Sequence, residues 1–261
     1  MRLALGIEYD GRAHCGWQSQ PSACAVQDKL EAALWALAQE KIGVVAAGRT
    51  DAGVHATGQV VHFDTQVVRP LTAWTRGVNT HLPESIRVLW AQPVQEDFHA
   101  RFSALSRSYR YVLYNHPVRP ALAVGRVSWF HEPLDAEAMA VAARTLVGEH
   151  DFSSFRAAEC QAKTPVKMLQ EIQLQRFHDY VVFDFTANAF LHHMVRNIVG
   201  CLVQVGAGRK PASWVAELLV ARDRRLAAPT FAPDGLYLVR VRYDARFGLP
   251  EGSMDLFIPG L

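Results

Sequence analysis

The residues with the greatest capacity for chemistry lie in one short segment, Ala47-Gly48-Arg49-Thr50-Asp51-Ala52-Gly53-Val54-His55. A guanidinium, a hydroxyl and a carboxylate follow one another between two glycines, with an imidazole just beyond. Side chains placed in this way could be catalytic or binding groups. The simpler interpretation is that Thr50 and Asp51 are turn residues that bond their own backbone. For an isolated aspartate the turn is the favoured interpretation, so the rest of the chain has to decide.

Short buried strands are predicted on both sides of this segment. The apolar residues that indicate them are Ile42, Val44 and Val45 before it, and Val60, Val61 and Phe63 after it. Gly48 and Gly53 allow backbone angles that bring the chain close to a ligand. Binding and catalytic groups are common on loops that rigid strands hold in place. We call residues 47–54 the Asp51 loop.

Hydrophobic periodicity predicts the element order β-α-β-β-α-β around this loop. Alternation from Leu3 to Tyr9 predicts the first strand, and helical spacing from Val26 to Leu37 predicts the first helix. Strands are expected near residues 42–47 and 58–64, then a helix through Leu71, Trp74, Val78 and Leu82, and a strand at Ile86, Val88 and Trp90.

The second half of the chain predicts the same order. Its expected elements are a strand over 105–113, a helix from Asp135 to Leu146, strands over 168–174 and 181–185 joined near His178, a helix over 191–202 and a strand over 237–243, with an extra short helix over 214–219 before the last strand. This order predicts an α+β fold of two ferredoxin-like halves, residues 1–103 and 104–261. Their antiparallel sheets are expected to join and to leave a central catalytic cleft.

Composition limits the class of protein. Half of the 261 residues are hydrophobic and no apolar run is long enough to span a membrane. The four cysteines have no zinc or redox spacing, so we expect no disulfide framework and a cytoplasmic location. The histidines likewise lack metal-site spacing. A net charge of +2 does not by itself indicate a nucleic-acid partner.

Local groups of basic and aromatic residues are more informative. Arg107 and Arg110, and Lys163 with Lys167, could contact phosphates, although each group alone is better explained as a solvated surface. Tyr109 and Tyr111 share a strand face with Arg107, and such side chains stack on unpaired RNA bases. Arg196 is predicted to lie opposite the apolar stripe of its helix, where it faces either solvent or a carboxylate across the cleft.

Taken together, the segments resemble the A type of tRNA pseudouridine synthase. The match, in family order, consists of Tyr9-Asp10-Gly11, Gly16-Trp17-Gln18, Gly48 to His55, Phe98-His99-Ala100-Arg101, Arg107-x-Tyr109-x-Tyr111, Asp151-Phe152-x-x-Phe155, His192 to Asn197 and Gly235-Leu236-Tyr237-Leu238. One departure is at His14 and Cys15, where the family usually has an aromatic residue.

The resemblance implies isomerisation of uridine to pseudouridine at positions 38, 39 and 40 of the tRNA anticodon stem-loop, by a homodimer without metal or organic cofactor. It implies that Asp51 is the nucleophile, that Tyr109 stacks on the base and takes the carbon-5 proton, and that Arg196 pairs with the aspartate. It also implies that Leu236 is the apolar wall of the pocket and that Arg49 fills the stack when the target base flips.

Two other classes of function compete with this one. A non-catalytic RNA-binding module would use the tyrosines and basic groups but would not need Asp51 between its glycines. A metal-dependent hydrolase is the weaker alternative, and sensitivity to a chelator would separate it.

Overall fold

A computed structural model describes residues 1–254 and 256 of the chain. Its contacts group them into two units: Met1–Leu105 with Tyr237–Leu256, and Ser106–Leu236. The predicted halves, 1–103 and 104–261, differ from this grouping at Ala104 and Leu105 and at the last strand, which was placed with the second half and which the contacts group with the first.

Within the described residues the strands are β1 (Arg2–Tyr9), β2 (Val45–Ala46), β3 (His55–Asp64), β4 (Ile86–Val94), β5 (Ala104–Asn115), β6 (Ser128–Phe130), β7 (Gly148–Asp151), β8 (Val166–Phe177), β9 (Tyr180–Ala187) and β10 (Leu236–Tyr243). The α-helices are α1 (Val26–Ala38), α2 (Ala136–Arg144), α3 (Met194–Gly206) and α4 (Ser213–Ala221). None of the helices described combines the length and the apolar character that crossing a bilayer requires.

The sheet of the first unit is built around β3. β1 lies antiparallel between β4 and β3. Two strands share the other edge of β3: β2 pairs antiparallel with Val61 and His62, and β10 pairs parallel with His55 and Ala56. A Cβ at Gly58 would lie 2.1 Å from the carbonyl oxygen of Val239, so only glycine lets β10 approach β3 this closely. Both ends of β3 are therefore fixed, including the end that carries the Asp51 loop.

The predicted elements of the first unit are present, with two differences. Helix α1 is confirmed, and Asp28 accepts a hydrogen bond from the Ala25 amide at its start. Strand β2 has only two residues, whereas six were expected. The second helix contains a π-helical turn at Ala73–Gly77, which the regular apolar spacing did not predict; Trp74 and Val78 are nevertheless fully buried.

In the second unit, β5, β9, β8 and β7 form antiparallel neighbours in that order, and β6 pairs parallel with β5. The predicted hairpin at His178 is confirmed, since β8 ends at Phe177 and β9 begins at Tyr180. Asp135 caps α2 as predicted, its carboxylate accepting from the Ala138 amide at 2.9 Å. The short strands β6 and β7 were not predicted because three or four residues are too few to show a period.

Helix α3 differs from the amphipathic helix that was predicted. Its residues are buried on nearly every side, including Asn197 and Gly200. A Cβ at Gly200 would lie 2.5 Å from the carbonyl oxygen of Pro229, which shows that the segment after α4 packs directly on this helix. The expected polar face opposite an apolar stripe is therefore wrong, although Arg196 itself remains half-buried.

The cysteine prediction also needs correction, because Cys15 and Cys24 form a disulfide. The chain between them folds back so that the Cys15 amide donates to the Cys24 carbonyl at 3.2 Å, and this places the two Cα atoms 5.5 Å apart. That separation suits a disulfide. Nothing in the nine-residue spacing indicated it, since the turn that closes the loop is not visible in the cysteine pattern. Cys160 and Cys201 are buried free thiols.

Candidate active site

The Asp51 loop is anchored at both ends by hydrogen bonds to its own unit. At the start, the Ala47 amide donates to the Val60 carbonyl at 2.8 Å, and the buried Gln59 side chain donates to the Gly48 carbonyl at 2.8 Å. At the end, the Val54 amide donates to the Asp51 carbonyl at 3.1 Å and closes a tight turn. Gly53 has a φ of +80° within this turn, a value that glycine adopts without strain.

Thr50, immediately before the aspartate, is held by its side chain and by its carbonyl. The Tyr9 hydroxyl lies 2.7 Å from the Thr50 hydroxyl, and the Trp17 amide donates to the Thr50 carbonyl at 2.9 Å. Burial raises the pKa of Tyr9 to about 12, so its hydroxyl keeps its proton throughout the physiological range. Thr50 is buried, whereas Arg49 is exposed and Asp51 half-buried. The loop thus presents a carboxylate from a backbone that is fixed on both sides of it.

Residues 10–18, which we call the N-terminal loop, lie against the Asp51 loop at two points. A Cβ at Gly11 would lie 2.1 Å from the Val54 carbonyl oxygen, and one at Gly16 would lie 2.7 Å from that of Thr50. Gly16 also has a φ of +88°. Glycine is therefore required at both contacts, and this explains physically why the motif has glycines at these two places.

Tyr109 and Arg107 lie on β5 in the second unit. The Tyr109 ring is 8% exposed and makes an edge-to-face contact with Phe190, with ring centroids 5.0 Å apart. Arg107 donates to the Asn188 carbonyl at 2.8 Å. Both side chains belong to the strand face that was predicted for them.

Arg110 forms a bidentate ion pair with Asp184 on the neighbouring strand β9, with two N–O distances of 2.7 Å. Lys163 is exposed. Lys167 is buried, and its ammonium donates to the carbonyls of Thr164 and Val166 at 2.7 and 2.8 Å. Burial lowers the pKa of Lys167. Of the two lysines that were grouped from sequence, only Lys163 presents its charge at the surface.

Arg196 and Leu236 complete the set predicted from sequence. The Arg196 side chain donates from Nε to the Phe231 carbonyl at 2.9 Å. The backbones of the same two residues are also joined, since the Phe231 amide donates to the Arg196 carbonyl at 3.3 Å. The guanidinium is therefore oriented by a fixed backbone. Leu236 is 5% exposed at the start of β10.

A family model described as tRNA pseudouridine synthase matches residues 6–103 and 142–244, which is more than half of the chain. The chain belongs to the tRNA pseudouridine synthase family. A pseudouridine synthase rearranges the atoms of a nucleoside without adding any, so the chain is an isomerase. The resemblance predicted from its motifs is confirmed.

Individual relatives of this pseudouridine synthase match over almost their whole length. The proteins called tRNA pseudouridine synthase A from Thiobacillus denitrificans and Methylobacillus flagellatus are 61% and 60% identical to it. The first match covers 97% of both chains, and the second covers 99% of both. Among solved structures, a Cbf5-Nop10-Gar1 complex matches 90% of this chain and 48% of its own, with 13% identity and a TM-score of 0.38. That likeness is too low to bear on the fold.

Sequence reasoning missed two buried polar residues that support the Asp51 loop and helix α3. Asn197 is fully buried; it donates to the Phe155 carbonyl at 2.8 Å and accepts from Thr230 at 2.7 Å and Arg224 at 3.1 Å. Gln59 is equally buried beside the Asp51 loop. The available signal was a polar residue inside an apolar run, which is also seen in ordinary solvent-facing positions.

Removing the Tyr9 hydroxyl is expected to slow the enzyme as well as to destabilise it. Tyr9→Phe leaves the buried Thr50 hydroxyl without this partner, which costs about 1–2 kcal/mol. The matched control is Tyr243→Phe, because the Tyr243 hydroxyl donates to the Ala100 carbonyl at 2.7 Å in the same unit. Urea unfolding should show similar losses of stability for the two variants, whereas single-turnover rates should fall only for Tyr9→Phe. Equal rates for both would mean that Thr50 does not need this contact for catalysis.

Proposed function

We propose that the chain isomerises uridine to pseudouridine at positions 38, 39 and 40 of the tRNA anticodon stem-loop, with Asp51 as the nucleophile. The observation that carries the proposal is the fixed loop that presents a half-buried carboxylate, in a member of the tRNA pseudouridine synthase family.

In the proposed reaction the bond from ribose C1′ to uracil N1 breaks and a bond from C1′ to carbon 5 forms. Carbon 5 loses a proton and N1 gains one, so the atoms balance without a co-reactant. Asp51 adds either to C1′ or to the uracil ring, and each addition divides the exchange into easier steps. The released base turns before it is joined again.

The other residues have separate roles in the proposal. Tyr109 stacks on the uracil and removes the carbon-5 proton, and Leu236 is an apolar wall of the pocket. Arg196 favours the charged form of the Asp51 carboxylate. The exposed Arg49 fills the stack left by the flipped nucleotide, which an enzyme that acts on a stacked base has to replace. The burial of Leu236 and the oriented guanidinium of Arg196 support these assignments.

The proposed architecture and assembly rest on family membership. They comprise two ferredoxin-like halves with a central cleft, a homodimer with tRNA lying across both subunits, and a cytoplasmic location. The order β4-β1-β3 with β2 beside β3 supports a ferredoxin-like first half. No metal or organic cofactor takes part in the proposal.

Among the basic residues proposed to contact phosphates, Lys163 is the best placed, because it is exposed. Arg107 and Arg110 already have partners in the second unit, and Lys167 is buried. Lys163→Glu should weaken binding of all tRNA substrates by similar factors and reduce the salt dependence of affinity by about one phosphate contact. The control is Lys41→Glu, another exposed lysine. An altered choice of uridine at unchanged affinity would contradict the phosphate contact.

The function is tested with undermodified tRNA that carries tritium at uracil carbon 5. Isomerisation has to release that label to water, whereas an RNA-binding module releases none. The assay is run without added cofactor and repeated with a chelator. Release that is unaffected by the chelator supports the proposal. Binding without release would favour the RNA-binding module, and release abolished by the chelator would favour a metal-dependent enzyme.

A further inference from the structure

His55 lies where the Asp51 loop enters β3, and no role has been assigned to it above. It is 3% exposed. Its Nδ1 accepts a hydrogen bond from the Gly11 amide at 3.1 Å, and its ring stacks on Tyr237 with centroids 4.6 Å apart and an interplanar angle of 18°. The side chain therefore joins three segments of the first unit: β3, the N-terminal loop and β10.

The hydrogen bond from Gly11 defines the chemical form of the ring that makes it. An amide N–H needs a lone pair at Nδ1, so the ring hydrogen of a neutral imidazole lies on Nε2. Asp10 Oδ1 is 3.4 Å from the same Nδ1. That carboxylate already accepts from the Arg12 guanidinium and the Arg12 amide, so it has other partners besides His55. The Gly11 amide is thus the donor that this nitrogen serves.

The Gly11 contact matters because the N-terminal loop also contacts the Asp51 loop. Gly11 packs on the Val54 carbonyl, three residues after Asp51, and the Trp17 amide binds the Thr50 carbonyl, one residue before it. The N-terminal loop therefore touches the Asp51 loop on both sides of the aspartate. His55 fixes the Gly11 end of that arrangement to the first residue of β3.

We propose that His55 is a positioning residue for Asp51, and that catalysis needs the hydrogen-bond acceptor at its Nδ1 position rather than the bulk of its ring. By holding Gly11, this acceptor keeps the N-terminal loop seated and the Asp51 carboxylate in its reactive position. The inference rests on the proposed function of Asp51. A displacement of about 1 Å at a reacting group can lower a rate a hundredfold.

Two substitutions of similar polarity, His55→Asn and His55→Gln, distinguish the effect of the acceptor atom from the effect of the ring. In His55→Asn the amide oxygen occupies the place of Nδ1, three bonds from Cα, whereas in His55→Gln it lies one bond further out. Both variants lose the stacking on Tyr237. We expect His55→Asn to keep the single-turnover rate of tritium release within about tenfold of wild type, and His55→Gln to lose on the order of a hundredfold, with tRNA affinity nearly unchanged in both.

A second pair of variants keeps an aromatic ring at position 55. The comparison then does not depend on whether the protein folds well with a smaller side chain there. His55→β-(4-thiazolyl)alanine retains an aromatic ring with an acceptor nitrogen next to Cγ, and His55→β-(3-thienyl)alanine retains the ring without that nitrogen. The thiazolyl variant should match the wild-type rate, and the thienyl variant should show the loss seen with His55→Gln. Equal rates within each pair, or losses that follow stability measured by urea unfolding, would overturn the proposal.

Hydrogen exchange of the Gly11 amide gives a readout that does not depend on activity. We expect protection in wild type, His55→Asn and the thiazolyl variant, and faster exchange in the other two. Lost protection without a lost rate would overturn the positioning role. If wild type itself released no tritium, the proposed function would fail, while the exchange data would still decide whether His55 holds Gly11.

Discussion

Asp51→Asn is expected to abolish tritium release while the protein folds and binds tRNA normally. The amide has nearly the shape of the carboxylate but cannot add to C1′ or to the uracil ring. The loop should keep its position, because its anchors run through Gly48, Thr50 and Val54 and not through the carboxylate alone. We expect a loss of at least about a thousandfold in the single-turnover rate, as for other removed nucleophiles.

The matched control for this variant is Asp64→Asn. Asp64 lies at the end of β3 that is farther from the Asp51 loop, and its side chain is 63% exposed and paired with Arg2 at 2.7 Å. Exposed pairs of this kind contribute at most about 1 kcal/mol, so the control should fold and react as wild type. Near-normal release by Asp51→Asn would reject the nucleophile assignment. A loss of tRNA affinity equal to the loss of rate would instead make Asp51 a binding residue.

The second large effect is expected at Arg196. A carboxylate in a partly water-excluded pocket is favoured in its neutral form by desolvation and in its charged form by a nearby cation. Arg196→Met removes the cation and keeps much of the length of the side chain. If Arg196 has the proposed role, the rate should fall by about a hundredfold and the acid limb of the pH–rate profile should move to higher pH.

The comparison variant is Arg196→Lys, because both changes remove the Nε–H that donates to the Phe231 carbonyl and only Met removes the charge. The lysine variant should keep the acid limb in place even if its rate is lower. Combined with Asp51→Asn, the methionine change should cause little further loss, since both disable one unit. An unmoved acid limb in Arg196→Met would show that Arg196 acts on something other than the ionisation of the nucleophile.

The secondary structure was predictable where the periodic pattern of hydrophobic residues extended over enough of the chain. Eight residues in β1 and thirteen in α1 were enough, and both elements are confirmed. Periodicity could not separate a regular helix from the π-helical turn at Ala73–Gly77, because Trp74 and Val78 face inward in both. It also misjudged α3, since an apolar stripe says nothing of the neighbours that cover the remaining faces.

The candidate site was predictable as a set of residues but not as a supported structure. The position of Asp51 between glycines is local and visible in the chain. Its support is not: Tyr9 and Thr50 are 41 residues apart, and only folding brings the two hydroxyls to 2.7 Å. The burial of Lys167 has the same origin, because two local carbonyls take its ammonium in a way that no charge pattern reveals.

The pairing of β10 with His55 and Ala56 has a consequence for folding during synthesis of the chain. Strand β1 precedes β3 in the chain, but β10, which pairs with the other edge of β3 at His55 and Ala56, emerges only after the whole of Ser106–Leu236 has been synthesised. During that interval the part of this edge at His55 and Ala56 lacks its native neighbour β10, and an open edge is a site for wrong pairing. We expect chains truncated before Tyr237 to be inactive and prone to aggregation, which sedimentation and tritium-release assays of the truncated protein would check.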